Sequence, residues 1–226
     1  MSHILDRPVW NALNTRHAHL ARGNSLAKRY APSVHPFASS RDESPESLRS
    51  LAGIATPGET LILLQADEFV PPPGFAVTTT ALGVQMVAER HIPCLEDDRI
   101  VPLGEADAAA MMELATLTKP GPFTLKALSL GDFWGMKENG RLVAMAGERL
   151  KQDGFTELSG VATHPDVRGR GLGRLLSLYV AGKIFAKGDQ PFLHAYAANT
   201  TAISLYGSIG FKLRTHMNVA VIERQA

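Results

Sequence analysis

Only one cysteine, Cys94, occurs in the 226 residues. That excludes an intrachain disulfide and any zinc site made of several thiolates. Its neighbours in Ile92-Pro93-Cys94-Leu95 include no base or cation that would activate it, so it reads as a small buried hydrophobe and not as a nucleophile. Apolar runs are short: Leu61-Ile62-Leu63-Leu64 is typical, and far from the length of a membrane span. Neither sign of charge is in excess, with 23 Lys and Arg against 22 Asp and Glu, which argues against nucleic acid or a membrane surface as partner. Any anion site must therefore come from local arrangement. The first residues lack the apolar stretch of a secretory signal, and a surface helix explains Arg7, Arg16 and Arg22 more simply than a transit peptide does. A soluble cytoplasmic protein is the expectation. The histidines do not gather: His17 and His19 fall on different sides of a helix, so no metal is expected. No Gly-x-Ser-x-Gly elbow supports a serine hydrolase.

What is present is an ordinary globular composition, 45% hydrophobic and 20% charged, in a chain long enough to bury a sizeable core. Trp10, Leu13, His17 and Leu20 recur at helical spacing and predict a helix from about Trp10 to Ala21. A polar stretch follows from Ser33 to Glu43. Ser44-Pro45-Glu46 then starts a second helix, with serine as N-cap and proline at the first helical position. Leu61 to Leu64 predicts a buried strand, Val70-Pro71-Pro72-Pro73-Gly74 a break, and Gly83 to Glu89 a further strand. Composition shifts near Glu96-Asp97-Asp98-Arg99, which divides the chain into 1–98 and 99–226. Beyond it come Ile100 to Leu103, a helix from about Glu105 to Leu117, and the stiff loop Thr118 to Phe123. Strands at Phe133 to Met136 and Leu142 to Arg149 are joined through Asn139-Gly140, a hairpin signal. A strand at Thr156 to Thr163 precedes a helix with Leu172, Leu175, Leu176, Tyr179 and Val180 on one stripe. Phe192 to Ala197 is another strand, Asn199 caps a short helix, and Gly210-Phe211 opens a final strand pair. Alternating helices and strands with hairpins imply an α/β or α+β sheet of mixed direction.

The chemistry concentrates in Val161 to Arg174, where a strand runs through Gly169, Gly171 and Gly173 into an amphipathic helix. Glycines permit close backbone approach, and successive amides at a helix N-terminus form a donor surface for phosphate oxygens. Arg168, Arg170 and Arg174 add positive charge. A dinucleotide fingerprint would need glycine where Arg174 stands, although Asp189 lies about twenty residues beyond Gly169, where a ribose-binding acid belongs. A P-loop would need Lys followed by Ser or Thr. Neither pattern is met.

Arg168-x-x-Gly171-x-Gly173, preceded by His164-Pro165, resembles the acyl-CoA pyrophosphate motif of the GNAT acetyltransferases. Asn199, Ala202, Tyr206 and Gly210-Phe211 resemble that family's second signature. The resemblance covers roughly residues 99–226. Glu157-Leu158-Ser159 and Pro120-Gly121-Pro122-Phe123 look most like the branch related to glycine N-acyltransferases. It implies a mixed central sheet flanked by helices, with residues 1–98 as an α/β extension that can resemble a degenerate half of the same fold. It implies acetyl-CoA as co-substrate and no metal. Main-chain groups of Val161, Ala162 and Thr163 would pair with the pantetheine arm. The amides of Gly169, Arg170, Gly171, Leu172, Gly173 and Arg174 would hold the diphosphate, and Asn199 would lie near the arm. The acceptor would be a small amine or amino acid; a homodimer is compatible with this. The alternatives are an acyl-CoA sensor without turnover and a protein acetyltransferase.

Acyl transfer to an amine needs a base for an ammonium of pKa about 10.4, a proton donor for the departing thiolate, and donors for the oxyanion. Tyr206, two helical turns after Asn199, is the candidate acid. Glu157 is the candidate base: strand alternation puts it on the face of Ser159, Val161 and Thr163, about 13 Å back from Val161. Glu148 competes for that role, and His194 on the next strand reads as a structural histidine before a proton relay. Phe123, Phe133 and Trp134 are candidates to line an acceptor pocket, although aromatics beside a hairpin are as often core.

Overall fold

A computed structural model describes residues 3–226. Helix α1 (Pro8–Asn14) begins on a proline and ends earlier than its apolar spacing predicts. His17 is the reason. It leaves the helical path to bury its ring, with Nδ1 2.8 Å from the Tyr30 hydroxyl and Nε2 3.0 Å from the Leu130 carbonyl oxygen. A single 3-10 turn at Ala18–Leu20 then leads into β1 (Ala21–Gly23). Strands β2 (Ala27–Tyr30) and β3 (Ala38–Ser40) complete a small antiparallel sheet in the order β1-β2-β3. The polar stretch from Ser33 thus holds a strand, with Ser39 and Ser40 both buried.

Helix α2 (Pro45–Gly53) starts as its sequence predicts, the Ser44 hydroxyl accepting the Ser47 amide. Strands β4 (Thr60–Gln65) and β5 (Phe75–Ala88) follow. β5 is twice the length its pattern suggests, because Val77 to Thr80 are exposed and carry no alternation. Cys94, on the connection after β5, is exposed and not buried as expected. Next come β6 (Ile100–Leu103), α3 (Ala108–Thr118), β7 (Phe133–Glu138) and β8 (Arg141–Gln152). Asn139 and Gly140 turn the β7–β8 hairpin with φ of 50° and 78°, the left-handed pair such a turn demands. The chain ends with β9 (Phe155–Thr163), α4 (Leu172–Ala186), β10 (Gln190–Tyr196), α5 (Thr200–Ser208) and β11 (Phe211–Arg224).

Eight strands form one mixed sheet in the order β4-β11-β5-β10-β9-β8-β7-β6. Every pairing is antiparallel except β9 with β10. The strand pair expected after Gly210 is a single strand, β11, whose two neighbours β4 and β5 both precede residue 98. The sheet therefore crosses the compositional boundary. On one face α4 lays Leu172, Leu176, Val180 and Ile184 against Ala144, Ala146, Leu158 and Leu193. On the other, α3 places Met111 and Leu114 against Met145 and Ala162, and α1 places Val9 and Leu13 against Leu150 and Phe192. Each of the larger of these side chains contributes about 1.5–3 kcal/mol when fully buried, so the stripes fix which way β8, β9 and β10 face.

Candidate functional site

The site begins where two strands part. β9 and β10 pair only through Phe155 with Gln190, Thr156 with Pro191 and Glu157 with Phe192. Beyond those residues they diverge, while β9 stays bonded to β8 on its other side. The edge of β9 is thus unpaired beyond Glu157, and Leu158 to Val161 face a cleft instead of a strand. This cleft has a volume of about 210 Å³ and is bordered by Val161, Asn199 and Tyr206 among others. A bulge shapes its wall: Gly160 and Val161 together oppose Ala146. Gly160 has φ of 63°, and a Cβ there would meet the Phe133 ring at 2.8 Å, so only glycine serves.

The bulge also corrects the alternation argument. Val161 packs with Leu158 on the α4 face, whereas Glu157 lies on the opposite face with Arg149. Period-two alternation holds only while pairing is regular, and the extra residue inverts it. Ala162 is buried under α3, and its side chain turns away from the unpaired edge.

Past Thr163 the chain makes a 3-10 turn, Pro165–Val167, with the His164 Nδ1 accepting the Asp166 amide at 3.2 Å. Gly169 and Gly171 follow with φ of 79° and 77° and open space where a Cβ would stand. The first hydrogen bond of α4 runs from the Leu175 amide to the Gly171 carbonyl at 3.0 Å. The amides of Leu172, Gly173 and Arg174 precede that ladder, which makes them donors at a positive helix end. Leu172 is buried and offers only its amide. Gly173 presses close to β9, since a Cβ would stand 3.3 Å from the Thr163 hydroxyl. Arg168, Arg170 and Arg174 are exposed. Arg170 rests on Glu138 through two hydrogen bonds of 2.7 and 3.1 Å, and Arg168 leans on the Thr163 carbonyl at 3.4 Å.

At the other end, Asn199 caps α5 by accepting the Ala202 amide at 3.1 Å. The Tyr206 ring stands edge-on to Phe211 with centres 6.1 Å apart. Burial pushes its phenol up to about 12, so it remains a protonated donor throughout the physiological range.

Glu157 does not border the cleft. It is fully buried, and four donors fill its lone-pair positions: Arg149 Nη2 at 2.7 Å, Arg149 Nε at 2.9 Å, the Leu150 amide at 3.2 Å and His194 Nδ1 at 2.7 Å. The Leu150 amide is available because Arg149 and Leu150 form a second bulge opposite Glu157. Burial alone would raise the Glu157 carboxyl, but the Arg149 charge and these hydrogen bonds hold it well below the usual carboxylate range. Such a carboxylate is a poor proton acceptor. Glu148 is also fully buried but points to the α4 side, where Lys187 Nζ lies 2.7 Å and Lys151 Nζ 2.6 Å from its oxygens.

His194 does border the cleft. Its Nδ1 meets Glu157 and its Nε2 lies 2.9 Å from the Gln85 amide nitrogen, which also donates to the Leu5 carbonyl at 2.9 Å. Arg214 donates to the Gln85 amide oxygen, which fixes that group's orientation. The imidazole is therefore Nδ1-protonated, with Nε2 as acceptor. Trp134 faces the α4 core beside Tyr179, 5.9 Å between rings, and takes no part in the cleft. Phe123 and Phe133 border a water-sized cavity of about 10 Å³ next to it, together with His35 and Arg149.

Arg149, Lys119 and Phe37 also line the cleft and carry no local motif. The one available signal was a charged pair, Glu148-Arg149, inside the apolar run Leu142 to Leu150. Among the described residues no group of three or more His, Cys, Asp and Glu gathers as metal ligands, and no helix is long and apolar enough to cross a membrane.

A family model described as FR47-like protein matches residues 134–220. The chain is 37% identical to a candidate acetyltransferase from the GNAT family of Novosphingobium aromaticivorans, covering 100% of both chains with a TM-score of 0.93. A GCN5-related N-acetyltransferase from Kribbella flavida is 16% identical over 100% of this chain and 97% of its own, with a TM-score of 0.64. A GNAT-family acetyltransferase from Colwellia psychrerythraea is 13% identical, covers 89% and 84%, and has a TM-score of 0.52. Comparison with curated proteins gives no match.

Proposed function

Because the chain belongs to the GNAT family of acetyltransferases, whose fold implies acyl transfer from an acyl-CoA, we propose that it moves an acetyl group from acetyl-CoA to the amine of a small acceptor. One observation carries the reading. The unpaired edge of β9 leads, through the single 3-10 turn Pro165–Val167, into a glycine turn whose amides precede the α4 ladder. An extended amide chain ending in a diphosphate fits that sequence of donors and acceptors.

The main chain of Val161, Ala162 and Thr163 bonds the pantetheine amides. The amides of Gly169 to Arg174 take the diphosphate, and Arg168, Arg170 and Arg174 supply charge; Arg170 exchanges Glu138 for phosphate. Asn199, held by its cap bond, borders the arm. The thioester then lies at the Gly160–Val161 bulge, whose amides serve the oxyanion. The acceptor ammonium gives up one proton to become nucleophilic, its nitrogen forms the new bond to the carbonyl carbon, the carbon–sulfur bond breaks, Tyr206 protonates the leaving sulfur, and the nitrogen's second proton restores the Tyr206 phenol. His194 takes the acceptor's proton at Nε2, displacing the Gln85 amide, while Glu157 acts as a positioning residue that accepts its Nδ1–H. This moves the base from Glu157 to His194, since only His194 borders the cleft. The glycine N-acyltransferase-like branch is part of the reading, because Ser159 and the Pro120–Pro122 loop both border the cleft.

Calorimetry with coenzyme A and a thiol assay of acceptor-dependent release test the proposal. Micromolar binding with release that requires an amine is the expected result. Absence of binding would remove the reading, and binding without release across a broad amine panel would turn it into a sensor.

A further inference from the structure

The acceptor end of the cleft has a one-sided charge. Its ionisable lining consists of Lys119, Arg149, His194 and two tyrosines, and no aspartate or glutamate lines it. Arg149 is presented there in a fixed pose. Glu157 binds its Nε and Nη2, and Phe37 covers its plane with 5.0 Å from guanidinium carbon to ring centre. Neither contact uses Nη1. The loop above it passes closely, since a Cβ on Gly121 would stand 4.0 Å from that nitrogen. A guanidinium held on one edge by a carboxylate and on its face by an aromatic ring loses little freedom when its remaining N–H groups bind an anion.

Lys119 supplies the net charge that the neutralised Arg149–Glu157 pair lacks. It closes α3 in the left-handed conformation, φ 50° and ψ 56°, where glycine is the ordinary occupant. It is exposed, in direct sequence with the Pro120-Gly121-Pro122 loop that also borders the cleft. A lysine tolerated at a strained position beside a pocket is an outlier of the kind that clusters at ligand sites. Much of the remaining lining is apolar: Ile62, Leu64, Met217 and Val219, with Phe37 beside Arg149.

Resting on the acyl-transfer reading above, we infer that the acceptor is an amine bearing its own carboxylate and an apolar side chain, an apolar amino acid, whose acid group is received by Arg149 Nη1 and Lys119. Polyamines and lysine-rich peptides are disfavoured, because a second cation would meet Lys119 and Arg149 with no carboxylate to receive it.

The test uses the full chain, acetyl-CoA and matched acceptors: leucine, leucinamide and 3-methylbutylamine, with the phenylalanine series in parallel. The amide's amine is less basic and so more often deprotonated, which biases the comparison against the inference. We expect kcat/KM for the acids to exceed that for the amides and amines by about 30-fold, the scale of one or two charge-assisted hydrogen bonds. Lys119→Ala narrows that ratio by about 5- to 10-fold, and Lys119→Glu reverses the preference. Arg149→Lys should do the same, but it disturbs Glu157, so the exposed Lys119 variants carry the decision. Amides or amines turned over as well as the acids, or a ratio unmoved in Lys119→Glu, would overturn the acid subsite and leave acyl transfer intact. So would release with the amines alone and none with the acids. Loss of coenzyme A binding in calorimetry would instead strike the acyl-transfer reading beneath it.

Discussion

The two ends of the proposed site are built on opposite principles. The end proposed for the diphosphate is backbone: consecutive residues, two left-handed glycines, exposed arginines and helix amides. The proposed acceptor end is side chain: Arg149 and His194 border the cleft, hydrogen-bonded to the buried Glu157 and Gln85 behind them, and Phe37 stacks on Arg149. The first should tolerate change gradually, because water stands ready to replace a lost contact. The second should fail abruptly, because a buried charge without its partner has no such substitute.

Arg149→Ala sharpens that contrast most. It leaves Glu157 buried and unpaired, and should destabilise the fold by about 3–5 kcal/mol in chemical denaturation. Tyr206→Phe comes next: removing the proposed proton donor should lower kcat about 10²-fold with little change in melting temperature or coenzyme A affinity. A fall of less than threefold would mean that the tyrosine only packs α5. Acid follows. Burial holds His17 down to about 4, and burial with the Arg149 charge holds His35 down to about 3. Below pH of about 6.5 the unfolded chain binds these protons first, so stability falls by about 1.4 kcal/mol per pH unit for each histidine until the folded values are reached. Thermal melts between pH 7 and 5 should show that slope, and His17→Gln should reduce it. Smallest is Gly171→Ala, where a left-handed alanine costs about 1 kcal/mol. It should weaken coenzyme A binding about tenfold or less and leave the acid slope unchanged.

Sequence reasoning reached the conformation of the glycine turn because its information is local. Three alternating glycines before an amphipathic helix, the Ser44-Pro45 cap and the Asn139-Gly140 hairpin each declare a conformation within a few residues. The acceptor end depends on two bulges, at Arg149-Leu150 and Gly160-Val161, that shift side chains to new faces. Bulges arise from pairing between strands, which no single strand's pattern reports. Alternation therefore placed Glu157 beside Val161, and the extra residue put it on the other side. In the same way β5 was read short, because its exposed threonine-rich half takes its strand conformation from β11 rather than from any apolar rhythm of its own.

The position of β11 has a consequence for how the molecule is made. Its two neighbours, β4 and β5, are synthesised long before it, and Phe75 waits for Arg224 at the far end of the chain. Until the fourteen residues of β11 emerge, β4 lacks its antiparallel neighbour and β5 keeps one edge open. Such distant closures are slow, and open strand edges invite other chains. A chain halted before β11 is made would therefore hold β4 apart from β5 and the rest of the sheet, a natural client for chaperones rather than a shortened enzyme.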